Sequence, residues 1–335
     1  MPRIGRLHIP GGYYHLMGRG LERRRIFSTL EDKQDFLNRL SDGLEHTQSR
    51  CFAWVVMSNH YHLLIQSSTI PISQLMGKVL GGYAGNYNRR HRRVGYVFQN
   101  RYKSILCDEE NYFLALVRYI HLNPVKANRL NNVSELDRYR WSGHAGLMGR
   151  HVQACHATED GLERFSRQKA AARRKYRAYI RAGLSGYKQE DLSGGGLIRS
   201  YGGWQNMIDQ RHEHGSKIGD ERILGDSAFV ERMLKEDELQ LETKARLKIE
   251  GWTLEKLVVT VCDRFDVELK QLTHRGRNNP LSLVRALICY WAREDLGVPG
   301  TQIAVRLKMS QQAASKASKR GEAYCLDNEL RLDLL

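Results

Sequence analysis

None of the six cysteines, at 51, 107, 155, 262, 289 and 325, belongs to a CxxC pair. That spacing gives neither a zinc ribbon nor a disulfide framework, and dispersed thiols fit a reducing cytosol. His151, Cys155 and His156 are metal-capable, but no second paired set accompanies them. No long apolar run and no signal-peptide pattern is present, which argues against a membrane role. Acidic side chains are in deficit: 37 Asp and Glu stand against 53 Lys and Arg, a formal net charge of +16. A balance that basic points to a polyanionic partner, nucleic acid first.

What is present is otherwise ordinary. The 335 residues are 41% apolar and 27% charged, enough for two or three domains with real cores. The first 130 residues alternate strand and helix patterns. Strands are expected at 12–19, 51–57, 60–66 and 95–108. Helices are expected at 30–48, from Pro71 to about Tyr87, and from Glu109 to about Pro124. That order predicts an α+β domain with a ferredoxin-like antiparallel sheet and helices on one face. Beyond it lie a basic helix from Glu159 to Gly183 and a glycine-rich stretch over 184–220 that reads as a linker. From about Ser227 the chain is helical again. A short helix at Thr301–Lys308, a turn at Met309-Ser310 and a polar, basic helix from Gln311 follow the helix-turn-helix pattern. The expected division is therefore 1–148, 149–225 and 226–335.

The chemistry centres on Met57-Ser58-Asn59-His60-Tyr61-His62. Residues i and i+2 of a strand share a face, so His60 and His62 project side by side, as a divalent-metal pair would need. Two histidines at a sheet edge, satisfied by neighbours or water, would leave the same pattern. A phosphodiester reaction also needs a nucleophile. Tyr119 and Asn123 are i and i+4 on one helix face, so a phenol able to attack phosphorus would lie beside an amide oxygen able to reach the metal. An amphipathic core residue is the alternative for Tyr119.

Several motifs in order carry a resemblance: Gly12-Tyr13-Tyr14-His15, Arg19-Gly20, Ile26-Phe27, the His60-Tyr61-His62 run, Phe98-Gln99-Asn100-Arg101-Tyr102-Lys103-Ser104 and Tyr119-Ile120-His121-Leu122-Asn123-Pro124-Val125-Lys126-Ala127. Over about residues 1–145 the chain resembles the IS200-like HUH single-tyrosine transposases, and most of all their REP-associated branch. The resemblance implies cleavage of single-stranded or hairpin DNA through a 5′-phosphotyrosine at Tyr119. It also implies Mg²⁺ or Mn²⁺ held by His60, His62 and Asn123. A homodimer is among the partners it implies, and a cytoplasmic, nucleoid-associated location goes with it. The region 281–321 resembles the helix-turn-helix end of the bacterial replication initiator, through Ala292-Arg293-Glu294, Gly297 and Ile303-Ala304. That suggests duplex binding beside the nuclease.

Expected DNA contacts are Arg19, Arg89, Arg90, Arg92, Arg93, Arg101 and Lys103 in the first domain, and Gln311, Gln312, Ser315, Lys316 and Lys319 in the last. Two other classes remain: a DNA-binding regulator that kept the fold without the chemistry, and an RNA-binding sheet. The first has no need to keep His60, His62, Tyr119 and Asn123 together. The second wants aromatic residues on the central strands, and Trp54 stands without an RNP-like run.

Overall fold

The computed structural model describes residues 6–184, 220–273 and 280–332. The chain divides into two compact units, Met1–Leu234 and Lys235–Leu335. The first is thus longer than the expected 1–148. Most of the glycine-rich stretch at 184–220 lies outside the described residues.

The first unit is built on a five-stranded sheet of order β2-β3-β1-β4-β5, comprising β1 (Tyr13–Arg19), β2 (Arg50–Val56), β3 (His60–Gln66), β4 (Lys103–Cys107) and β5 (Ile223–Leu224). The first four strands are antiparallel to their neighbours and follow the ferredoxin-like order. The fifth, which sequence patterning does not reveal, pairs parallel to β4 and covers that edge, with Leu106 N–H donating to Arg222 O and Asp108 N–H to Leu224 O. The expected strand over 95–108 forms only from Lys103, because residues before it hold a single isolated bridge, Gly20 to Phe98.

Strand alternation sends two apolar sets in opposite directions. Tyr14, Leu16, Trp54, Tyr61, Leu63 and Leu106 pack with α1 (Leu30–Thr47) and α2 (Ile72–Arg90). Tyr13, Val55, Leu64, Ile105 and Cys107 pack instead with α3 (Glu109–Lys126). The two crossover helices share a face, as the ferredoxin-like order requires. The helices as a whole do not: α3 covers the other side. That departure is what makes a site, since it lays Tyr119 over the strand face that carries the histidines. Gly18 stands directly opposite Tyr61 in the register, and a Cβ there would come 2.6 Å from Tyr61 Oη. The glycine leaves room for that ring.

Local chemistry fixes the helix ends. Thr29 and Asp32 form a capping box on α1, with Asp32 N–H donating to Thr29 Oγ1 at 3.1 Å and Thr29 N–H to Asp32 Oδ2 at 2.9 Å. Asp32 is fully buried and also accepts from Arg90 Nη1 at 2.6 Å and His91 Nε2 at 2.9 Å. Burial alone would raise its pKa. The hydrogen bonds from His91, the Thr29 backbone and Arg90 outweigh that, and hold it below the usual carboxylate value. Helix α3 starts at the Asp108 cap and carries Pro124 in its last turn, ending two residues later.

Residues beyond 130 complete this unit. They form α4 (Val133–Leu136), α5 (Gly143–Leu147), α6 (Thr158–Glu163) and α7 (Lys169–Ala182). The basic helix α7 is not solvated all round: Ala172, Tyr176 and Ile180, spaced i, i+4, i+8, are fully buried. Tyr176 Oη lies 2.8 Å from His121 Nδ1 on α3 and 2.6 Å from His144 Nδ1 on α5. His144 Nε2 continues to Asp137 Oδ1 at 2.8 Å, and Arg177 Nε donates to Asp137 Oδ2 at 2.9 Å. This buried chain ties α7 and α5 to the helix that bears Tyr119, two residues from it.

The unit boundary falls within α8 (Ser227–Ile249), whose first turns give Phe229, Val230 and Met233 to the first core. The second unit contains α9 (Leu254–Arg264), α10 (Pro280–Glu294), α11 (Gly300–Arg306) and α12 (Gln311–Asp327). Its core includes Leu257, Val261, Leu287, Trp291, Ile303 and Ala317. Helices α10 and α12 approach closely because residue 321 is glycine: a Cβ there would sit 2.2 Å from the Ala286 carbonyl oxygen. Ser310 caps α12 by accepting from Ala313 N–H at 3.1 Å. No helix among the described residues is long and apolar enough to cross a membrane.

Candidate active site

The β1–β3 register places the functional side chains. Arg19 pairs with His60, Met17 with His62, and His15 with Leu64. On the other side of β1, Lys103 pairs with Met17 and Ile105 with His15. Directly opposed residues share a face, so Arg19, His60, His62, His15 and Lys103 all belong to the α3 side. Tyr119 lies over them. Its ring is edge-on to His15 and to His62, with centroids 5.7 Å and 5.6 Å away. His60 and His62 have centroids 5.3 Å apart. The nucleophile candidate and the imidazole pair, distant in sequence, are therefore one cluster.

The hydrogen bonds around His60 decide which nitrogen is available. Asn59 Nδ2 donates to Arg23 O at 3.1 Å, which turns Asn59 Oδ1 toward His60 Nδ1 at 2.7 Å. His60 Nδ1 must then be the donor, and a neutral ring keeps its lone pair on Nε2. Asn123 Nδ2 likewise donates to Tyr119 O at 3.0 Å, one turn back. That leaves the amide oxygen of Asn123 for its side-chain contact with His60. An imidazole lone pair and an amide oxygen brought together suit a shared cation. This donor set fits the divalent metal expected from the sequence: His60, His62 and Asn123 would hold it, with nitrogen ligands that admit Mn²⁺ beside Mg²⁺. Among the described residues no group of three or more His, Cys, Asp or Glu side chains is arranged to hold a metal. The His151, Cys155, His156 segment gives none, and an amide donor completes the candidate set at His60 and His62.

Burial and neighbouring positive charge both favour the neutral form of these imidazoles. Burial lowers the pKa of His60, Arg19 lowers it further, and the Asn123 amide oxygen, which would accept from the protonated ring, opposes both. His62, 7% exposed, is held well below the usual histidine value by burial, then by His15, His60 and Arg19. A neutral ring has one nitrogen lone pair to offer a cation, on whichever nitrogen does not carry its proton.

Three contributors escape a reading of residues in isolation. His15 is fully buried and places Nε2 3.0 Å from His62 Nδ1. Asn59 orients His60. Lys126 follows Tyr119 and Asn123 at i+7 on α3, with Nζ 5.9 Å from the Tyr119 ring centroid. The spacing 119, 123, 126 carried the signal for Lys126, whereas His15 becomes visible only through strand pairing.

The expected DNA contacts are distributed unevenly. Arg19 is exposed beside His60. The segment leading to Arg101 runs along the end of β1, with Leu21 N–H donating to Val97 O and Gln99 N–H to Arg19 O. Arg101 and Lys103 are both exposed. Arg89 and Arg92 are exposed, and Arg89 donates to Asn86 Oδ1. Arg93 lies over the Tyr87 ring at 5.7 Å. Arg90 has another occupation, in ion pairs with Asp32, Glu31 and Asp35. In the second unit Gln311, Gln312, Lys316 and Lys319 are exposed on α12, while Ala314, Ala317, Ser318, Gly321 and Cys325 face inward. Ser315 is half-buried and accepts from Arg293 Nη1 at 3.3 Å.

Residues 9–123 match the protein family described as Transposase IS200 like. A solved structure described as a REP-associated tyrosine transposase bound to a REP hairpin is similar to this chain with a TM-score of 0.37 and 17% identity. That likeness covers 47% of this chain and 92% of the other. No curated protein matches.

Proposed function

From the premise that residues 9–123 are an IS200-like transposase domain, we propose that this protein cleaves and rejoins single-stranded or hairpin DNA through a covalent bond to Tyr119. The observation that carries the reading is the packing of the Tyr119 ring against His62, beside an Asn123 amide that reaches His60. In the reaction, Tyr119 Oη bonds to phosphorus as the bond to the 3′-oxygen breaks. The phenolic proton is lost and the departing 3′-oxygen gains one. The 5′-phosphotyrosine retains a phosphoester, so attack by another 3′-hydroxyl reverses the step without ATP. A divalent cation, when bound by His60, His62 and Asn123, supplies Lewis-acid polarisation of the scissile phosphate. The Lys126 ammonium lies 5.9 Å from the centroid of the Tyr119 ring, a positive charge beside the nucleophile's aromatic body. Arg19 and Lys103 share the face of the sheet that carries His60 and His62, where a backbone phosphate would be held, and Arg101 is exposed just before β4.

The sequence motifs favour REP-type hairpins as substrate. The test is to incubate the full chain with labelled hairpin DNA from the flanks of its own gene. A denaturation-resistant protein–DNA adduct is expected with Mn²⁺ or Mg²⁺ and none with chelator. An adduct of equal yield in chelator would remove the metal from the mechanism.

The second unit supports a separate duplex-binding role. Gln312, Lys316 and Lys319, at i, i+4 and i+7, are exposed on one side of α12, a polar and basic set of the kind a recognition helix uses. Truncation after Ile249 leaves the first unit and all of α8. The shortened chain is expected to form the adduct at the wild-type rate and to bind duplex DNA at least about tenfold more weakly at moderate salt. Equal duplex binding in an electrophoretic shift assay would end the helix-turn-helix reading.

A further inference from the structure

We propose that His15 is a positioning residue for the metal site: its Nε2 accepts a hydrogen bond from His62 Nδ1–H and thereby leaves the His62 Nε2 lone pair free for the cation. The inference rests on the metal reading above and adds to it a residue outside the ligand set.

A neutral imidazole carries one N–H, and the nitrogen that bears it cannot ligate. His60 has this choice made for it by Asn59, which is itself pinned to the Arg23 carbonyl. For His62 the corresponding neighbour is His15, at 3.0 Å from Nδ1. The two rings are stacked, with centroids 5.2 Å apart and planes 27° apart. They sit diagonally across the β1–β3 register, since His62 pairs with Met17 and His15 with Leu64. Backbone pairing therefore fixes their separation. His15 is 0% exposed, so water is not at hand to serve as acceptor in its place. If His15 were the donor instead, the His62 proton would lie on Nε2, and a cation could bind only after that proton moved. Each ligand histidine thus has its own orienting acceptor, an amide for His60 and an imidazole for His62, as ligating histidines generally have a partner on the second nitrogen. His15 also touches the Tyr119 ring edge-on, so the same side chain borders both metal ligand and nucleophile.

The experiment has two readouts on the full chain, neither requiring DNA cleavage. Long-range ¹H–¹⁵N correlation on the metal-free wild type, labelled at histidine, should show His62 protonated at Nδ1. Titration with Mn²⁺, followed by loss of the free-ion paramagnetic resonance signal, should show binding weakened about 10- to 100-fold in His15→Leu. It should be restored to within about threefold in His15→Gln, whose Oε1 can occupy the acceptor position. Wild-type His62 protonated at Nε2 overturns the proposal, and needs no variant that might misfold. A His15→Leu protein with wild-type Mn²⁺ affinity overturns it as well, leaving the metal site intact. A wild type that binds no Mn²⁺ overturns the metal reading and, with it, the role of His15.

Discussion

Replacing Tyr119 with phenylalanine is expected to abolish the covalent adduct, by at least about three orders of magnitude, while leaving DNA affinity within twofold of wild type. The substitution removes one oxygen. The ring contacts to His15 and His62 remain, because both are edge contacts to the aromatic body. The hydrogen bond from Asn123 goes to the backbone carbonyl of residue 119 and is unaffected. Tyr119 is half-buried, and its neighbours Leu116 and Ile120 anchor α3 whether or not the phenol is present. What is lost is the atom that would bond to phosphorus. Denaturing gels with labelled hairpin DNA measure the adduct, and fluorescence anisotropy measures binding. An adduct of wild-type yield from the Phe variant would show that the nucleophile lies elsewhere.

His60→Ala is the second large effect. Loss of a direct ligand should weaken Mn²⁺ binding by at least about 100-fold, the upper end of what removing an outer partner does. Adduct formation should fall in parallel and recover partly at high Mn²⁺. His60 is the cleaner choice of the two histidines. It is half-buried, and its loss leaves Asn59 at a wet edge. His62→Ala would instead strand a buried His15 nitrogen, at a cost of about 1–3 kcal/mol in folding stability, and so mix two effects. Calorimetric Mn²⁺ titration of the metal-free variant distinguishes them. Unchanged affinity in His60→Ala would take that residue out of the ligand set.

The contrast between what sequence conveys and what it hides follows from range. The pairing of His60 with His62 is an i, i+2 relation within one strand, and Tyr119 with Asn123 an i, i+4 relation within one helix. Both survive folding unchanged, so both are legible. His15 meets His62 through strand pairing 47 residues apart, which periodicity does not encode. The same holds for β5, two residues long and paired to β4 from more than 100 residues away. The run Arg89–Arg93 reads as one charged cluster, yet the end of α2 turns Arg90 toward buried Asp32 and leaves Arg89 and Arg92 outside. Helix α7 misleads for a similar reason. Its charge dominates its composition, while three residues on one buried stripe, with Arg177 paired to Asp137, hold it to the fold. A cut near Ala145, natural from sequence, would remove Tyr176 from between His121 and His144 and open the unit behind the tyrosine helix.

The β1–β3 register has a consequence for how such a site can change over evolutionary time. His15, His60 and His62 occupy the α3 side because their strand positions agree in parity. A one-residue insertion inside β1 or β3 would reverse that parity for everything beyond it. A shift of this kind in β3 would drive the imidazoles into the apolar layer under α1 and α2, and turn Tyr61 and Leu63 toward Tyr119. Length changes are therefore tolerable in the loops around this site, but inside these two strands only in even steps. Point substitution can tune the centre gradually, whereas a single-codon insertion in its strands removes it whole.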